Sequence, residues 1–114
     1  MTPPALATVL DLFMAGEVDG AAANFAEDAT YQEPRKAPIR GREAIAAEFA
    51  RFAATGAPFR IVVDDVIGDG RSACVVYRFQ VAGGKGEPWR ERAGCATVRF
   101  DERGQIGAWR EYEG

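Results

Sequence analysis

Residues 59–82 read FRIVVDDVIGDGRSACVVYRFQVA. A β-branched run, Phe59 to Ile67, is followed by Gly68-Asp69-Gly70 and then by a second run, Ala73 to Ala82. Two such runs flanking a glycine-rich turn predict an antiparallel hairpin. The pattern repeats downstream. Gly83-Gly84-Lys85-Gly86 is the next turn, Trp89 to Phe100 a third strand, Asp101 to Gly104 a third turn, and Gln105 to Glu113 a final strand.

Upstream the period changes to that of a helix. Thr2 before Pro3 predicts an N-cap with proline in the first turn. Leu6, Val9, Leu10, Phe13 and Met14 then form one stripe, which Gly16 ends. Asp19 is expected to cap a short second helix running through Ala21, Ala22 and Phe25. Ala29 to Glu33 is a brief strand closed by Pro34, and residues 34–41 form a loop. Gly41 opens a third helix with Ile45, Phe49, Phe52 and Ala53 on one face, and Gly56 and Pro58 stop it. Helices first and an antiparallel meander second predict an α+β domain, residues 1–114, with the helices on one face of the sheet.

Composition narrows the function classes. The chain has 114 residues and a formal net charge of -3, which argues against a general nucleic-acid or anionic-membrane surface. It contains no histidine, which removes Ser-His-Asp and Cys-His catalysis and the zinc sites that need histidine. Two cysteines, Cys74 and Cys95, are too few for a disulfide framework or a four-thiolate metal site. No metal and no cofactor are expected. Of the basic residues 12 are Arg and 2 are Lys, favouring fixed charge partners over lysine nucleophiles. The first residues lack a basic n-region and no apolar run has transmembrane length, so a cytoplasmic location is expected.

Register predicts faces. Pairing Ala82 with Pro88 sets Arg78 opposite Arg92. Pairing Phe100 with Gln105 sets Arg92 by Glu113, and pairing Ile67 with Ser72 sets Ile61 by Arg78 and Phe59 by Gln80. One face then collects Phe59, Ile61, Arg78, Gln80, Arg92, Trp109, Glu111 and Glu113. The other collects Tyr77, Phe79, Val81, Cys95 and Tyr112. The first face reads either as a ligand pocket or as a solvated charged surface. The second is apolar enough to predict a homodimer packed through it. Cys74 and Cys95 are expected on opposite faces, and so not disulfide-bonded.

The chain resembles the nuclear transport factor 2-like superfamily, in its SnoaL-like and limonene-epoxide-hydrolase-like branch. The residues that carry the resemblance are Asn24-Phe25-Ala26-Glu27-Asp28-Ala29 leading into Tyr31-Gln32, then Gly41-Arg42-Glu43-Ala44-Ile45, and Ile106 followed by Trp109-Arg110-Glu111-Tyr112. It implies a cone-shaped fold with the N-terminal helices on the concave face of a curved, mostly antiparallel sheet, and a pocket between them.

In epoxide hydrolases of this branch a Tyr and an Asn on the first strand hold the hydrolytic water. Tyr31 matches the Tyr, and Glu33 stands where the Asn is expected. A middle strand carries Arg and, two residues on, Asp. Arg78 matches the first, but Gln80 replaces the acid. Glu111 matches the carboxylate that follows Trp-Arg. Ketosteroid isomerases on this fold need a Tyr where the first helix offers Leu10 and Phe13. SnoaL-type cyclases use a late-strand acid, which Glu111 fits.

Two function classes follow. One is an enzyme acting on a small hydrophobic, oxygenated ligand, with Glu111 as base and Arg78, Tyr31 and Glu33 assisting. The other is a non-catalytic binding or interaction domain. In both, Gln80, Arg92, Trp109, Ile61 and Phe59 are expected to line the ligand site. Two pocket arginines predict a preference for ligands bearing a carboxylate, enol or carbonyl oxygen.

Overall fold

The structure is a computed structural model that describes residues 3–114. The expected Thr2 cap lies outside the described residues. The first helix, α1 (Pro4–Met14), begins after Pro3, whose carbonyl accepts the amides of Leu6 and Ala7 at 3.1 and 3.2 Å. Proline in the first turn forfeits no hydrogen bond there, because that amide has no helical partner. Leu6 and Val9 are buried, but Met14 ends at the surface.

The second helix, α2 (Val18–Ala22), is shorter than expected. Asn24 donates its side-chain amide to the Gly20 carbonyl at 3.1 Å and ends the turn there. Strand β1 (Phe25–Gln32) therefore starts at Phe25 rather than Ala29. A two-residue strand, β2 (Ile39–Arg40), sits in what reads as a loop. Helix α3 (Arg42–Ala54) follows Gly41, whose φ of 100° lies in the left-handed region that favours glycine. Arg42 donates to the Phe25 carbonyl at 2.8 Å and ties this helix to β1.

Strands β3 (Phe59–Gly68), β4 (Ser72–Val81), β5 (Arg90–Phe100) and β6 (Ile106–Glu113) form the meander. The sheet order is β2-β1-β6-β5-β4-β3, with β1 parallel to β6 and every other pair antiparallel. The three helices pack on the concave side. Phe25, Leu6, Ile45, Ile106, Val75 and Val98 are fully buried between the layers.

The register corrects one strand. β4 pairs with β5 as Val81↔Arg90, Phe79↔Arg92 and Tyr77↔Gly94, one residue from the expected pairing. Pro88 has no amide to give to a ladder, so pairing starts only at Arg90. β3 pairs as Ile61↔Phe79 and Val63↔Tyr77, again one residue away, with a bulge at Asp64. The slips reverse β4, and the bulge reverses the end of β3 beyond Asp64, leaving Val66 toward the helices and Ile67 outside. Val75, Tyr77 and Phe79 face the helices, and Arg78 and Gln80 face the convex side. β6 is also shifted, Ala96 lying by Glu111 and Gly94 by Glu113, but by two residues, which preserves faces.

Two expectations change with β4. Tyr77, Phe79 and Val81 do not form an apolar convex surface, so they give no ground for a dimer there. Cys74 lies beside Thr97, and Cys95 beside Val76, so the two cysteines share the convex face instead of opposing one another. Both thiols are free, and burial together with the neighbouring Cys95 pushes the Cys74 thiol upward.

Candidate functional site

The parallel pairing Tyr31↔Trp109 sets these two rings side by side, stacked at 6.4 Å and 23°. Strand periodicity then puts Glu111 on the same face as Trp109. The Trp109 indole N–H donates to Glu111 Oε2 at 2.9 Å, and the Tyr31 hydroxyl donates to the same oxygen at 3.3 Å. Glu111 Oε1 has no hydrogen-bond partner among the described residues. From α3, Phe49 meets Tyr31 edge-on at 5.4 Å.

These groups open onto a cavity of about 320 Å³ between helices and sheet. Leu10 and Phe13 of α1, Phe49 and Phe52 of α3, and Ile61, Val75, Tyr77 and Phe79 of the sheet supply apolar walls. Tyr77 stands opposite Gly94. A Cβ at Gly94 would lie 2.4 Å from the Tyr112 carbonyl and 3.5 Å from the Tyr77 hydroxyl, so only glycine fits there. The Tyr77 hydroxyl has no hydrogen-bond partner among the described residues.

Charge is distributed unevenly around this cavity. At the rim, Lys36 pairs with Glu33 at 3.4 Å, Arg51 with Glu48, and Arg92 with Glu113 at 3.4 Å. Arg35 reaches Glu113 too, at 2.7 Å, and with Arg92 holds that carboxyl below its ordinary range. Glu111 has no ion-pair partner among the described residues. Burial pushes its carboxyl up, and the negative charges of Glu33 and Glu113 push the same way. The bonds from Trp109 and Tyr31 offset part of this. Burial, with Glu111 nearby, also raises the Tyr31 and Tyr77 hydroxyls, so both stay protonated donors.

Of the residues expected at the site, the structure brings together Tyr31, Glu33, Ile61, Arg92, Trp109 and Glu111. Phe59 packs just behind the wall, stacked on Phe79 at 5.7 Å and edge-on to Phe52 at 4.9 Å. Arg78 and Gln80 are not at the site. Arg78 forks onto Asp64 at 2.9 and 3.0 Å, and Gln80 donates to Glu91 at 2.6 Å and accepts from Arg60, all on the convex side. With Arg78 outside and Arg92 engaged by Glu113, the two arginines no longer support the expected preference for ligands bearing a carboxylate, enol or carbonyl oxygen. Tyr77 and Phe49 were missed. Strict alternation in β4, with Val75, Tyr77, Phe79 and Val81 against Arg78 and Gln80, is the signal that marks Tyr77.

Helices on the concave side of a curved sheet, enclosing a cavity with a carboxylate near the end of the last strand, define the cone-shaped α+β class. Within it, residues 6–109 match the SnoaL-like domain, and the chain belongs to that family. No curated protein matches it by sequence. Its fold is similar to that of a hypothetical protein of ketosteroid isomerase-like fold from Catenulispora acidiphila, solved with trimethylamine. That match has a TM-score of 0.84 and 16% identity, over 98% of this chain and 86% of the other. An LEH-like epoxide hydrolase from M. tuberculosis matches with a TM-score of 0.81 and 20% identity, over 98% of this chain and 81% of the other. An NTF2-like protein of unknown function from Cytophaga hutchinsonii matches with a TM-score of 0.76 and 15% identity, over 96% and 87%. At these identities the likeness concerns the fold. The family is one of small-molecule-binding domains, and no helix among the described residues is long and apolar enough to cross a membrane.

Proposed function

We propose that the chain binds a small hydrophobic, oxygenated ligand in this cavity and that Glu111 acts on it as a proton acceptor. The observation that carries this is the state of Glu111, which lines the cavity with Oε2 held by two donors, Oε1 without a hydrogen-bond partner among the described residues and the carboxyl raised by burial. A base is most effective when its pKa approaches the working pH. Tyr77 supplies a free hydroxyl that donates to a ligand oxygen as charge builds there. Tyr31 and Trp109 position Glu111, and Glu33 sits at the rim beside them.

A second reading, binding without turnover, is favoured by the cavity side of β4. It offers Val75, Tyr77 and Phe79, and no carboxylic acid to protonate a leaving group. Limonene-type epoxides are therefore expected to remain unhydrolysed.

Deuterium exchange at the α-carbon of a small cyclic ketone, followed by NMR, separates the two readings. Under the first, the protein accelerates exchange, Glu111→Gln lowers the rate by about 10²-fold or more, and Tyr77→Phe lowers it less. A ketone that binds without accelerated exchange leaves the second reading.

For the convex face we propose a second copy of this chain. Ile67 and Tyr112 are 62% and 42% exposed there, beside the half-buried Val76 and the two cysteines. Light scattering checks this, with Ile67→Lys expected to shift the species toward monomer.

A further inference from the structure

Every cation lining the cavity is engaged by a carboxylate other than Glu111. Lys36 is on Glu33, Arg51 on Glu48, and Arg92 on Glu113, which Arg35 also holds. Glu111 lies deeper, and the charges acting on it are Glu33 and Glu113, both negative. Its two hydrogen bonds come from neutral donors. A carboxylate drawn out of water without a counter-charge is costly, and that cost is relieved when a cation arrives. Aromatic rings stand around it beside the aliphatic Leu10 and Ile61. Tyr31 and Trp109 stack beside it, Phe49 closes on Tyr31, and Tyr77 lines the same cavity two strands away. Aromatic faces attract cations, most strongly when water is excluded.

We infer that the cavity takes a hydrophobic organic cation, an alkylated ammonium group seated on Glu111 among Tyr31, Tyr77 and Trp109. This rests on the reading that the cavity is the ligand site, and it adds a positive charge to the hydrophobic ligand proposed above. A fully alkylated nitrogen has no N–H to donate. It needs a negative environment and apolar walls rather than a hydrogen-bond acceptor, and the cavity sets the Glu111 carboxyl among aromatic and aliphatic side chains. A cavity of about 320 Å³ accommodates such a group together with an apolar substituent.

Phenyltrimethylammonium and its neutral carbon isostere, tert-butylbenzene, test the inference. They share a shape and differ in charge. The cation's charge does not change with pH, so any pH dependence belongs to the protein. Binding is read from the Trp109 indole N–H resonance and by calorimetry. The cation is expected to bind about tenfold more tightly than the isostere at neutral pH. That advantage shrinks as pH falls through the raised Glu111 value. The other titratable groups at the cavity are Tyr31 and Glu33 from the β1 side, Tyr77 on β4, Arg92 on β5, Glu113 on β6, Glu48 and Arg51 on α3, and Lys36 in the loop after β1. Helix α1 contributes only Leu10 and Phe13.

In Glu111→Gln the advantage disappears while isostere binding persists, which also shows that the variant is folded. Wild-type protein that binds both probes equally overturns the cation inference and leaves the cavity as a ligand site. Protein that binds neither probe overturns both. Preference for the cation that survives unchanged in Glu111→Gln, or at low pH, contradicts the role given to Glu111.

Discussion

The two faces of the sheet carry the same kinds of charged residue in opposite circumstances. On the convex face Arg78 forks onto Asp64 and approaches Glu91 at 3.7 Å, with about two-fifths of the Arg78 and Asp64 side chains open to water. Arg78 and Asp64 reinforce each other's ionisation. On the concave face Glu111 lies among aromatic rings, bonded by neutral donors and pushed toward its protonated form. The convex cluster has more charges and better ion-pair geometry, yet every group in it is satisfied and solvated. Glu111 has no counter-charge among the described residues, and the proposed function rests on that isolation. Clustering of charge is thus a poor marker of a site, whereas burial without a counter-charge is an informative one.

Substitutions on the two faces should separate accordingly. The largest effect is expected at Gly94, where an added Cβ collides with the Tyr112 carbonyl. Gly94→Ala should cost about 1–3 kcal/mol in denaturant unfolding. Gly107→Ala, whose Cβ would meet its nearest neighbour at 3.7 Å, should lie within about 0.5 kcal/mol of wild type. Equal costs at the two glycines would contradict the close approach of β5 to β6 at Gly94.

Glu111→Gln comes next, and its expected sign is unusual for a charged residue. Its carboxyl is raised in the folded protein, so folded chains retain a proton that unfolded chains have released. The contribution to stability is full below the ordinary glutamate range and is lost as pH rises through the raised value. At neutral pH the charge is a burden that glutamine lifts while still accepting from Tyr31 and Trp109. Glu111→Gln is therefore expected to raise Tm at neutral pH, with the gain fading on acidification. Glu113→Gln should show the opposite trend, because Arg35 and Arg92 lower that carboxyl. Its loss of stability should fade as pH falls below the ordinary glutamate range.

The smallest effect is expected for Arg78→Gln. An exposed, solvated pair of this kind contributes little to stability. Binding in the cavity should not change at all. A loss of ligand affinity in Arg78→Gln would restore it to the site.

Most of the fold was legible in the sequence because helix stripes, glycine turns and β-branched runs are local signals. The α+β arrangement, the three helices and the four meander strands follow from them. What failed was long-range pairing inferred from turns alone. Pairing Ala82 with Pro88 asked for a ladder position that proline cannot fill, and the bulge at Asp64 left no mark that could be read from spacing. Each displaced a register by one residue and together reversed β4. The hydrophobic alternation of β4 contained the right answer, since its apolar half, Tyr77 and Phe79 included, belongs against the helices. The shift between β5 and β6 did no such damage, because an even displacement leaves Trp109, Glu111 and Arg92 facing the cavity. The expected residues on those two strands therefore line the cavity, and those expected on β4 do not.

The state of Glu111 is the centre of this account, and carbon-detected NMR of its side-chain carboxyl across pH measures it directly. With Glu111→Gln assigning the resonance, the carboxyl is expected to titrate above the ordinary glutamate range. Phenyltrimethylammonium should move that midpoint downward, because a bound cation favours the ionised form. A midpoint at or below the ordinary range in the free protein would mean that Glu111 has a counter-charge and would contradict its isolation.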